Sequence, residues 1–98
     1  MARFHSMQMT TFGEYDPFQD EITLNKDWLG LWNRRLVQAY IHEQFHRALV
    51  KQGIWNHEPY HDSIRTRASE IVKLLSNIEV MQIIKALING NEPLYFIP

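Results

Sequence analysis

The stretch from about Lys26 to Gln52 reads as one long helix, and it limits what the rest of the chain can do. Asn25 is a good N-cap, Asp27 puts a negative charge in the first turn where it suits the helix dipole, and Gly53 follows as a C′ residue. Gly30 weakens the first turns by about 1 kcal/mol relative to Ala, which allows a later start. Trp32, Leu36, Tyr40, Ile41, Phe45, Ala48 and Leu49 spread apolar surface far round the helix. The pattern therefore predicts a central helix covered on more than one side.

The flanking sequence predicts an α+β domain, a small antiparallel sheet or hairpin followed by three helices. Residues 3–12, with Phe4, Met7, Met9 and Phe12 among polar residues, read as a strand. Residues 13–17 read as a turn, Gly13 for its dihedral freedom and Pro17 for its missing donor. Residues 21–25 read as a second strand antiparallel to the first. A second helix is expected from about Pro59 to Ser76, with Glu58 at the cap and a stripe of Ile64, Ala68, Ile71 or Val72, and Leu75. Asn77 is expected to cap a third helix, about Ile78 to Ile88, whose wide apolar face can cover the core or serve self-association. At 98 residues the chain has material for one domain with a modest core.

Inside the long helix stands His42-Glu43-Gln44-Phe45-His46, an H-E-x-x-H pentapeptide. Residues four apart lie about one turn along the same helix face, so His42 and His46 can aim two imidazoles at one point. Zinc takes imidazole nitrogen at ~2.0–2.1 Å and, in catalytic sites, three protein ligands with a water in the open fourth position. Glu43 lies about 100° round the helix from His42 and roughly 60° from His46, so it can stay off the metal and accept a proton from that water. The residues thus point to a small zinc hydrolase, first of all a peptidase. The bland alternative is a charged helix turn with two partly buried histidines; a shuffled chain of this composition shows the pentapeptide roughly 2% of the time.

Composition narrows the chemistry. The absence of cysteine removes disulfides, a thiol nucleophile and any Cys-based zinc ribbon, so a metal must be held by His and carboxylate alone. A formal charge of −1 gives no global electrostatic case for nucleic acid. No apolar run approaches the ~20 residues that span a bilayer, and the N-terminus lacks the apolar stretch of a secretory signal. The expectation is a soluble, cytoplasmic protein without a membrane role; a virus-encoded protein made inside a host cell would have the same features.

For the third ligand, the candidates downstream are His57, Glu58, His61, Asp62 and Glu70. At 100° per residue His61 lies within about 60° of Ile64, Ala68 and Val72, on the buried side of the second helix, with Glu70 about 180° away. His61 is therefore favoured. His57, in the preceding loop, is kept as an alternative ligand or transition-state donor, and a carboxylate ligand also stays open. The extended pattern with a third His ten residues after the first fails, since Gln52 stands there and Leu49 replaces its glycine.

Taken together, Gly13-Glu14-Tyr15-Asp16, Ile22-Thr23-Leu24-Asn25, the H-E-x-x-H helix and His61-Asp62-Ser63-Ile64-Arg65 resemble the SprT-like zinc metallopeptidases of the zincin superfamily. The match covers roughly residues 12–72. The resemblance implies a near-minimal catalytic domain that cleaves a protein or peptide substrate, with zinc on His42, His46 and His61 and Glu43 as general base. His57, Tyr60 and Arg65 are candidate transition-state donors, and an extended peptide is expected to add to the edge of the 20–25 strand. Two other functions compete. One is a catalytically inactive zincin-fold module that binds a partner through the third helix and the aromatic tail at 94–97. The other is a small helical nucleic-acid-binding regulator using Arg34, Arg35, Arg47 and Lys51, whose broad angular spread reads instead as solvated surface.

Overall fold

The structure, a computed structural model, describes residues 2–5 and 11–92. Strand β1 (Ala2–His5), β2 (Gly13–Asp16) and β3 (Glu21–Asn25) precede helices α1 (Asn33–Lys51), α2 (His61–Lys73) and α3 (Asn77–Ile88). The α+β class with three helices is as expected. Residues 6–10, on which part of the expected first strand falls, and the tail at 94–97 lie outside the described residues.

The sheet differs from expectation in two ways. Its order is β1-β3-β2, with β1 parallel to β3 and only β2 antiparallel to it. The expected turn at 13–17 is thus largely a strand, and β3 is central, so its edges are already paired. Gly13 is needed for space rather than for dihedral freedom. A Cβ there would stand 2.9 Å from Leu24 Cδ2, 3.3 Å from the Thr23 carbonyl oxygen and 3.5 Å from Ala39 Cβ on α1. The true turn follows: the Asp16 carboxylate accepts from the backbone N–H of Phe18 and Gln19, and Asp20 takes a positive φ of 51°, a conformation Asp tolerates.

Asn25 caps a short 3-10 turn, Lys26–Trp28, accepting from the Asp27 N–H. Gly30, at φ 86°, then redirects the chain, so α1 starts at Asn33 rather than near Lys26. Buried Asn25 also donates to the Thr11 carbonyl, tying the end of β3 to the chain entering β2. Helix α1 packs against β2, β3, α2 and α3, as its wide apolar surface required. Leu36, Val37, Tyr40 and Ile41 from α1, Ile22 and Leu24 from β3, Ala68 and Val72 from α2, and Val80, Ile83, Ile84 and Leu87 from α3 form the core.

Ser76, not Asn77, caps α3. Its hydroxyl accepts from the Glu79 N–H while the Glu79 carboxylate accepts from the Ser76 N–H, a reciprocal box that satisfies two donors the helix leaves open. Ile78, Met81 and Ile88 stand exposed on the outer face of α3 beside Gln82 and Lys85. Among the described residues no helix is long and apolar enough to cross a membrane.

Candidate metal centre

Three side chains meet beside α1. His42 and His46 stand one turn apart just past Ile41, the last fully buried residue of that helix, and each is half-buried. His61 opens α2, which Ile64, Ala68 and Val72 seat in the interior. One ligand atom from each of the three lies within 4.8 Å of the others.

The spacing fits a tetrahedral ion. Bonds of ~2.05 Å meeting at the tetrahedral angle place two imidazole nitrogens ~3.3 Å apart and their ring centroids ~5.2 Å apart. His42 Nε2 and His46 Nε2 are 3.2 Å apart with centroids at 4.9 Å, the rings tilted by 54°. A direct in-line hydrogen bond of that length would hold the centroids roughly 5.5 Å apart. The two rings are therefore bent off the line joining the nitrogens, at a separation that two ligands of one atom also have. His61's centroid is 5.4 Å from that of His42 and 5.6 Å from that of His46. Its ring is thus close to the centroid spacing of a shared ligand set, with its ligand atom within 4.8 Å of those of His42 and His46.

The electrostatics suit a cation. Burial pushes His42 below the usual imidazole range, with His61 and Arg65 adding to the effect. Burial, then His42, His57 and His61, bring His46 down to about 4. Both rings are held neutral, with a lone pair to give. Burial pushes the Glu43 carboxyl up to about 7, with the Glu14 carboxylate on β2 adding to it. The Glu43 carboxyl thus has a proton affinity in the range that general bases use.

These groups line one cleft of about 730 Å³ between β2 and α1, together with Tyr15, Pro17, Trp55, His57 and Arg65. Its strand wall is β2, not β3: among the described residues β1 and β2 occupy both sides of β3, which leaves residues 13–16 as the strand edge at the cleft. Of the proposed donors, Arg65 and His57 face this cleft, and Arg65 lies 3.4 Å from His61 Nδ1. Tyr60 is exposed and is not part of the lining. Both ring nitrogens of His57 are engaged, one with His46 and one with the Ile54 carbonyl.

Two arginines expected on the solvated surface are structural. Arg34 donates to the carbonyls of Val72 and Leu75 and to Asn77 Oδ1, closing the C-terminal end of α2 and the start of α3. Arg47, half-buried, donates from Nε and Nη2 to the two Asp20 oxygens at 2.8 and 3.0 Å and pairs with Glu92 at 3.1 Å. Tyr15 donates to the same Asp20 carboxylate at 2.8 Å, so the turn after β2 is fastened to the helix one residue beyond His46. These partners are 27 or more residues apart for Arg47, and no local spacing signals such pairs.

No protein-family model matches the chain, and no curated protein and no solved structure matches it.

Proposed function

We propose that the chain is a zinc-dependent metallopeptidase, related to the SprT-like zincins, that hydrolyses peptide bonds with Glu43 as general base. The observation that carries this reading is the convergence of His42, His46 and His61 at the separations of a three-imidazole site, with Glu43 in the same cleft. An all-nitrogen set of three neutral imidazoles is a ligand set that zinc accepts, leaving a position for substrate or water. Bound there, zinc supplies Lewis acidity toward water and toward the scissile carbonyl. Glu43 takes the proton of the attacking water and returns it to the nitrogen of the departing amine. Arg65, which lines the cleft, is the candidate donor to the oxygen that gains negative charge. The edge of β2, unpaired among the described residues, offers backbone groups to an extended substrate, which would run beside α1.

The test is Glu43→Gln in purified, zinc-loaded protein. The expected result is one zinc per chain by mass spectrometry in both proteins and a 10²–10⁴-fold loss of peptide hydrolysis in the variant. Hydrolysis at the wild-type rate by the variant, or wild-type protein that takes up no zinc, overturns the proposal. A second reading is favoured by the exposed Ile78, Met81 and Ile88 on α3: the same fold kept as a partner-binding module without catalysis. Zinc bound stoichiometrically by wild-type protein that hydrolyses no peptide would favour this module.

A further inference from the structure

The geometry points to His57 as the residue that sets the tautomer and orientation of the metal ligand His46. This rests on the metal site proposed above and adds a member that binds no metal itself. His57 sits in the loop between α1 and α2 and is half-buried. Its Nε2 is 2.7 Å from the Ile54 carbonyl oxygen, and its Nδ1 is 2.7 Å from His46 Nδ1.

The proton positions follow from what each atom can do. A carbonyl oxygen only accepts, so His57 Nε2 carries the proton. A neutral imidazole has one N–H, which leaves His57 Nδ1 as an acceptor. His46 Nδ1 must then donate, and His46 Nε2 is left with a lone pair. That is the nitrogen 3.2 Å from His42 Nε2. The chain of bonds runs from the Ile54 carbonyl through His57 to His46 and fixes which nitrogen of His46 is free to bind.

Ring geometry fixes the direction as well. An imidazole nitrogen lies roughly 1.2 Å from the ring centre, so two rings joined in line through a 2.7 Å contact would have centroids roughly 5 Å apart. The centroids of His46 and His57 are 4.9 Å apart and the planes differ by 17°. The rings therefore meet edge to edge in nearly one plane, where the N–H and the lone pair both lie. His57 restrains rotation of His46 about its ring bond, the motion that would turn Nε2 away from the ion. Metal-binding histidines ordinarily give their second N–H to such an acceptor, and losing it typically costs 10- to 100-fold in metal affinity.

The test compares His57→Phe, which keeps a ring but has no acceptor, with His57→Asn, which puts Oδ1 close to the place of Nδ1. Zinc affinity is measured at pH 8 by competition with a chelating dye, and the His46 tautomer is read from ¹⁵N–¹H correlation spectra of zinc-loaded and zinc-free protein. The expected results are zinc binding 10- to 100-fold weaker for Phe, restoration to within about threefold of wild type for Asn, and a wild-type His46 protonated at Nδ1 in both states. Phe binding zinc as tightly as wild type, Asn no better than Phe, or wild-type His46 protonated at Nε2 overturns the assignment and leaves the peptidase proposal standing. Wild-type protein that binds no zinc overturns both. Zinc lost outright in His57→Phe but retained in His61→Ala would make His57 a ligand and overturn the positioning role.

Discussion

The two halves of α1 are built on different terms. From Leu36 to Ile41 the helix gives the core four fully buried side chains, Leu36, Val37, Tyr40 and Ile41. From His42 to Val50 every residue is only partly buried, and the polar ones are engaged sideways: Gln44 with Tyr40, Arg47 with Asp20 and Glu92, His46 with His57 and His42. One half gains its stability from exclusion of water. The other keeps its groups near water and holds Gln44, His46 and Arg47 by hydrogen bonds. The difference teaches that the site is anchored by a rigid neighbour on the same helix rather than by its own burial.

Three measurements can break or sharpen this contrast. The largest effect is expected in the first half. Leu36→Ala should cost 2–5 kcal/mol in chemical denaturation while zinc is still taken up one per chain, because the cavity lies away from the imidazoles. Loss of zinc stoichiometry in folded Leu36→Ala would show that the halves are not separable. Second, zinc at a hundred times its dissociation constant should raise the stability of the wild type by about 2.7 kcal/mol. His46→Ala should remove most of that gain yet unfold at nearly the wild-type denaturant midpoint when zinc is absent.

The smallest effect concerns the ion pair that fastens the second half. The hydrogen bond from Arg47 holds the Asp20 carboxyl at about 2, below its usual 3.8, with burial opposing it and the Tyr15 hydroxyl reinforcing it. A carboxyl lowered in the folded state adds stability that is fully present above pH 4 and is lost as the pH falls toward 2. The Asp20 side chain is 44% exposed, so screening limits the contribution to about 1 kcal/mol. Asp20→Asn, which tolerates the same backbone, should be less stable than wild type by about that amount at pH 6, and the gap should close by pH 2. A gap independent of pH would mean that Asp20 acts through its turn and not its charge.

Much of the site was legible because helical spacing is local. His42 and His46 needed only a four-residue interval, and His61 needed only the stripe of Ile64, Ala68 and Val72 to be placed on the inward side. The sheet was less legible. Gly13 looks like a turn residue in isolation, and only the approach of Leu24 and the Thr23 carbonyl from β3 explains why a strand requires it. The parallel pairing of β1 depends on chain beyond any local window. The α3 cap was written as Ser76-x-x-Glu79, and the adjacent Asn77 competed for the same reading. Arg34 and Arg47 looked like surface because their partners lie in other elements.

The hydrogen at position 13 has a consequence for the groove. A Cβ there would press on the Leu24 side chain and stand tight against the Thr23 carbonyl of β3, while meeting Ala39 of α1 only in ordinary contact. Any larger group at 13 would act as a shim between the two paired strands, and β2, the strand it shifts, is also a wall of the groove that Glu43 lines. The seating of that wall is therefore set by an atom the side chain does not have.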